Sequence, residues 1–188
     1  MKKRLLKILV EKSFLYSEKP IYKLQSGTLS SYYINCKMTT LNPEGMSYLG
    51  CLLFESFIKG NNIQAVGGLT LGADPLALAV AMHSFNVNNP IRPFVVRKNP
   101  KGHGTNRWIE GEVYKEDRVV VFDDVVTTGE STIKAIQRIR ESCANVEFAV
   151  SLVDREEGGK ENIQKENVEL FSLFTKTELF NYHKSLQP

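Results

Sequence analysis

Asp123 and Asp124 stand side by side, and Val125, Val126, Thr127, Thr128, Gly129, Glu130 and Ser131 follow them without a break. Adjacent carboxylates accept hydrogen bonds from a vicinal diol. Small residues and a glycine ahead of a helix let backbone N–H groups close on an anion, with the positive end of the helix dipole behind them. A ribose phosphate carries both of these groups. The same residues also read as a metal-binding or helix-capping pair followed by an ordinary turn, so the elements around them decide the matter.

Those elements are a strand to deliver the acids and a helix to receive the anion. Val119, Val120, Val121 and Phe122 form a continuous apolar run rich in β-branched residues. Such a run predicts a strand buried on both faces of a parallel sheet, ending at Asp123. Ile133, Ile136, Ile139 and Cys143 then recur at near-helical spacing, with Glu130, Ser131 and Thr132 in the first turn or its cap. The carboxyl ends of strands in an open α/β sheet are where ligands bind.

Other predicted strands end on residues with chemical potential. Ile63 to Val66 is followed by a glycine turn from Gly67 to Gly72 and a helix from Leu76 to Met82, and the glycines let backbone approach a diphosphate. Pro90 to Val96 leads into a loop at about 98–108. Arg97, Lys98, Lys101, His103 and Arg107 fall within eleven positions there, among glycines and without apolar periodicity. The loop is either a solvated linker or a lid that closes over a polyanion. Val146 to Val153 ends at Asp154 and Arg155, and a guanidinium at that edge pairs either with Glu156 or Glu157 or with a substrate carboxylate. Val168 to Phe174 supplies a last strand and Lys176 to His183 a last helix.

The amino-terminal part reads as a cover for this sheet. Leu5, Leu6, Leu9 and Val10 make the apolar stripe of a helix over about 3–14. Ile21 to Gln25 and Ser31 to Ile34 flank a polar, glycine-containing centre, which predicts a hairpin flap. Asn42-Pro43-Glu44 starts a helix that runs to about Lys59.

The 188 residues, 42% hydrophobic and 24% charged, suit one domain over 1–188, with the flap at about 1–40 joined by the C-terminal segment. A net charge of +3 is too small to imply nucleic acid as a partner. No run approaches the roughly 20 apolar residues of a membrane span. Cys36, Cys51 and Cys143 are far apart and match no zinc or disulfide spacing, which points to the cytoplasm. His83 and His183 have no companions at metal-ligand spacing, and no metal ligand is assigned to any residue.

The apolar strand, the two acids and Val-Val-Thr-Thr-Gly-Glu-Ser closely resemble the binding signature for 5-phosphoribosyl 1-diphosphate (PRPP) in type I phosphoribosyltransferases. Most of the chain resembles the orotate phosphoribosyltransferase family: Leu24 to Gly27, Ser31 to Lys37, Arg97-Lys98, Lys101 to Thr105, Ile109 to Gly111 and Val153 to Gly158. The resemblance implies the type I phosphoribosyltransferase α/β fold, a central, mostly parallel sheet flanked by helices with a small hood. It implies transfer of the phosphoribosyl group from PRPP to orotate in pyrimidine biosynthesis.

Carried over by position, Arg97, Lys98, Lys101 and His103 contact the diphosphate, and Asp123 and Asp124 bind the ribose hydroxyls. Val125, Val126, Thr127, Thr128, Gly129, Glu130 and Ser131 hold the 5-phosphate. Thr127 and Arg155 recognise orotate, and Lys101, His103 and Asp124 assist the chemistry. Mg²⁺ rides mainly on the diphosphate, and a homodimer shares its active sites. Gln25 and Gly72 stand where many or some members carry lysine. A transferase for another base and a PRPP-sensing regulator are the competing readings. The first would differ at the base pocket, and the second would lack a working lid.

Overall fold

The chain alternates helix and strand in the order its apolar runs predict, with three short strands and two short helices that they do not mark. In the computed structural model, residues 1–23, 27–100 and 107–187 are described. Gln25, Lys101 and His103 lie outside the described residues.

Helix α1 (Lys2–Ser13) leads into β1 (Phe14–Tyr16), then β2 (Tyr22–Lys23), β3 (Leu29–Ser30) and β4 (Tyr32–Ile34). The expected hairpin is only half right. Tyr22 and Lys23 pair with Ser30 and Leu29, but Tyr32 to Ile34 pairs antiparallel with Tyr16 to Phe14. Burial explains the change of partner: Phe14 and Ile34 face each other in register and are both buried, whereas Leu29 is exposed.

Helices α2 (Lys37–Thr40) and α3 (Pro43–Leu53) follow, and a π-helical turn, Phe54–Ile58, prolongs α3. The Asn42 side chain accepts a hydrogen bond from the Gly45 N–H and Pro43 occupies the first turn, as the sequence predicts. Next come β5 (Ala65–Leu69), α4 (Asp74–Asn86), β6 (Arg92–Val96) and β7 (Ile109–Gly111). The chain continues through β8 (Arg118–Val126), α5 (Glu130–Glu141), β9 (Asn145–Asp154), α6 (Gly159–Gln164), β10 (Leu170–Thr175) and α7 (Lys176–Ser185).

Among the described residues six strands form the main sheet in the order β10-β9-β8-β5-β6-β7. The first five run parallel and β7 closes the edge antiparallel to β6. Alternation along β8 builds two cores. Val120 and Phe122 join Leu5, Leu9, Leu53 and Leu76 on one face, while Val119 and Val121 meet Ile136 and Ile139 of α5 on the other. Ile136 and Ile139 are fully buried, each contributing roughly 1.5–3 kcal/mol by leaving water.

Two expectations shift here. Strand β8 does not stop at Asp123 but carries both acids and continues to Val126. Gly67 and Gly68 belong to β5 and not to the turn after it. A Cβ on Gly67 would strike the Phe94 carbonyl, and one on Gly68 the Phe122 carbonyl, so these glycines let neighbouring strands pack tightly.

Candidate active site

Strand alternation sends the two acids in opposite directions, and tertiary structure brings them back to one opening. Asp123 follows Val119 and Val121 towards α5, where the Thr132 hydroxyl donates to its Oδ2 at 2.9 Å. Asp124 follows Val120 and Phe122 towards the hood, where Lys37 Nζ donates to its Oδ2 at 3.2 Å. Both Oδ1 atoms border the turn after β5. A Cβ placed on Gly72 would lie 2.6 Å from Oδ1 of Asp124 and 3.1 Å from Oδ1 of Asp123. Gly72 therefore leaves room beside both Oδ1 atoms, on which a larger residue would press. The same turn holds a cis peptide between Thr70 and Leu71, and the Thr70 hydroxyl donates to Asp74 at 2.7 Å.

Both acids are buried, Asp123 with 8% and Asp124 with 4% of its surface exposed. Burial, and then the charge of Asp124, push the Asp123 carboxyl up from 3.8 to about 7, against hydrogen bonds from Thr132 and the N–H groups of Asp124 and Val125. The fold thus favours neutral Asp123. Its contribution to stability is present below about pH 4 and is lost as the pH rises through about 7. For Lys37, partial burial opposes the charge, but the attraction and hydrogen bond of Asp124 outweigh it and raise the ammonium above its ordinary value.

The expected anion cradle forms directly after β8. Gly129 precedes α5 in the left-handed region, at φ 82°, and no side chain caps the helix. The first intrahelical bond of this end runs from the Ile133 N–H to the Gly129 carbonyl, so the N–H groups at the head of the helix have no intrahelical acceptor. Their dipole end faces the turn of Thr127 and Thr128. Helix α6 braces that turn from outside, with Asn162 donating to the Thr128 carbonyl at 3.0 Å.

Arg155 lies at the same edge because its N–H donates to the Val126 carbonyl at 2.9 Å, which sets it beside Thr127. Its side chain is 12% exposed. Nη2 pairs with Glu157 at 2.9 Å and donates to the Tyr32 hydroxyl at 3.2 Å, while Tyr32 donates to the same Glu157 oxygen at 2.6 Å. Arg155 Nε is buried without a partner. Burial, and then the hydrogen bond to Glu157, raise the Tyr32 phenol above its ordinary value, with Arg155 opposing them.

Arg97 and the Lys98 carbonyl have partners other than the two acids. Arg97 pairs with Glu110 at 3.1 Å across β6 and β7, and the Lys98 carbonyl accepts from Lys134 of α5 at 3.0 Å. At the far root of the loop the Arg138 guanidinium stacks 3.7 Å from the Trp108 ring centre. Sequence reasoning did not single out Lys37, Tyr32 or Glu157 as site residues. The first two sit in a segment whose short strands suggest packing alone, and their links to Asp124 and Arg155 span most of the chain.

No family model matches the chain. Orotate phosphoribosyltransferase from Aquifex aeolicus (strain VF5) is 48% identical over 178 residues, spanning 95% of this chain and 97% of that relative. The chain belongs to the orotate phosphoribosyltransferase family. A crystal structure of the Mycobacterium tuberculosis H37Rv orotate phosphoribosyltransferase with Fe(III) dicitrate superposes at a TM-score of 0.83 and 32% identity, covering 95% of this chain and 98% of that one. The same mycobacterial enzyme in complex with PRPP superposes at 0.79 and 29% identity, with the same coverage. The central, mostly parallel sheet and its flanking helices are those of a type I phosphoribosyltransferase.

Proposed function

We propose that this family member transfers the 5-phosphoribosyl group of PRPP to orotate, giving orotidine 5'-monophosphate and diphosphate in pyrimidine biosynthesis. What carries this reading is the turn at Gly72, where the Oδ1 atoms of two buried carboxylates come together at the end of a strand that leads into a helix with no side-chain cap. Asp123 and Asp124 accept the ribose hydroxyls, and the segment from Val125 to Ser131 receives the 5-phosphate. Thr127 and Arg155 take the base, with the guanidinium on its carboxylate.

A ring nitrogen of orotate bonds to the anomeric carbon as the bond to diphosphate breaks. Positive charge on the ribose ring falls near Asp124, whose fixed carboxylate stabilises it without reorganisation. Lys101 and His103 meet the departing diphosphate, together with Arg97 and Lys98. The Oδ1 atoms of Asp123 and Asp124 border the turn at Gly72. Mg²⁺ would enter on the diphosphate with its waters and would supply charge neutralisation there.

A homodimer is part of the proposal. Leu78, Met82 and Phe85 leave α4 with 50%, 67% and 72% of their surface exposed, beside a groove of about 330 Å³ that reaches Met46. An apolar face of this kind suits a second copy. A cytoplasmic location is proposed as well; Cys36, Cys51 and Cys143 are free thiols. No helix among the described residues is long and apolar enough to cross a membrane.

Orotate loss, followed by absorbance with PRPP and Mg²⁺ beside adenine, hypoxanthine and uracil, tests the reading. Turnover of orotate alone is expected. Preference for another base, or binding of PRPP without turnover, would replace it.

The acid pair also sets a pH dependence. An ionised Asp123 is a stronger acceptor for ribose hydroxyls than the neutral acid, so calorimetric affinity for PRPP is expected to fall by up to about tenfold per unit as the pH drops below about 7. Asp123→Asn should flatten that limb. A wild-type affinity that is constant from pH 5.5 to 8 would contradict the assignment.

A further inference from the structure

We propose that Lys37 is a PRPP ligand, its ammonium seated on Asp124 and donating to the diphosphate side of the substrate. The inference rests on the activity reading above and adds a residue that reading does not use.

The placement is specific. Lys37 opens α2, a short helix tied down on its far side: Ser13 and Thr39 share a buried hydroxyl hydrogen bond of 2.6 Å, and the Thr40 N–H donates to the Cys36 carbonyl at 2.8 Å. Cys36 is itself buried. From this base the lysine crosses from the hood to the carboxyl edge of β8, 87 residues away in sequence. An ammonium has three donors, and Asp124 Oδ2 is the one hydrogen-bond acceptor found for it among the described residues. The Lys37 side chain remains 45% exposed while that of Asp124 is 6% exposed, so the free part of the cation looks outward from the acid pair.

Electrostatics gives the pairing a purpose. A polyanion approaching the buried Asp124 carboxylate, and Asp123 once it is ionised, is repelled unless a cation stands between them and the charge. The turn beside the acids carries Gly72 next to Asp124 Oδ1 and so supplies no cation of its own. Lys37 approaches from the opposite oxygen of the same carboxylate and meets the need from another element. Asp124 fixes the ammonium, so little side-chain freedom remains to be lost when the ligand binds.

Lys37→Met and Lys37→Arg, each checked for unchanged thermal unfolding, are compared with the wild type in steady-state assays and in calorimetry with Mg-PRPP. For Lys37→Met a tenfold or greater rise in Kd and KM for PRPP is expected, with the KM for orotate within twofold. Lys37→Arg should recover most of the loss. Inorganic diphosphate as a competing ligand should weaken about tenfold in Lys37→Met, and ribose 5-phosphate less than threefold. Unchanged PRPP affinity, equal rises for PRPP and orotate, or equal weakening of the two competing ligands would overturn the proposal. A wild type inactive on orotate would instead remove the activity reading, and the calorimetry with PRPP would still decide Lys37.

Discussion

Replacing Arg155 with alanine is expected to raise the KM for orotate on the order of 100-fold while leaving the KM for PRPP within about twofold. The Arg155 side chain is 12% exposed, and its Nε is buried without a partner. A donor shielded from water in this way gains more from an incoming carboxylate than an exposed one does. Truncating one side of a desolvated, hydrogen-bonded charge pair costs about 2–5 kcal/mol, and 100-fold corresponds to roughly 2.7 kcal/mol. Glu157 and Tyr32 hold Nη2 in the absence of substrate, so the group is oriented before orotate arrives. Steady-state kinetics with each substrate varied in turn reads the difference. Equal rises in both constants would mark Arg155 as a structural partner of Glu157 only.

The second large effect belongs to Asp124. Asp124→Asn preserves shape and removes charge, and kcat/KM for PRPP is expected to fall by roughly 100- to 1000-fold. Two losses add up. Hydrogen bonds from the ribose hydroxyls to a charged acceptor are each worth about 1.5–3 kcal/mol, and the carboxylate also offsets positive charge that develops on the ring. Lys37 loses its counter-ion at the same time, which leaves a half-buried ammonium beside an amide. Removing the Asp124 charge also removes one of the two causes that hold the Asp123 carboxyl up, so Asp123 keeps more of its own charge in the variant under mildly acidic conditions. A variant within tenfold of wild type at pH 8 would place the reaction's electrostatics elsewhere.

Much of the architecture is written in local patterns. The run from Val119 to Phe122, the helical spacing from Ile133 to Ile139 and the Asn42 cap each name an element that the fold contains. Boundaries moved where burial outweighed residue type. Asp123 and Asp124 look like strand terminators, but β9 pairs with β8 as far as Val126, and the acids gain hydrogen bonds that make their burial tolerable. Gly67 and Gly68 look like turn residues, but a parallel sheet packed this closely has room for little else beside Phe94 and Phe122. Strand β1 and helices α2 and α6 are three to six residues long, too short for periodicity to show.

The sequence by itself determined the site's chemistry: an acid pair on a buried strand, a small-residue turn before a helix, and an arginine at the next strand's end. Such signals are local, because a carboxylate and a helix N-terminus keep their properties wherever the chain carries them. Only the tertiary structure decided which oxygens stay open and which side chains hold the rest. Lys37 reaches Asp124 across 87 residues, Tyr32 meets Arg155 across 123, and Gly72 clears the space between the two acids. Those contacts arise from packing the hood on the carboxyl edge of the sheet, and packing between distant segments leaves no periodic trace in the chain.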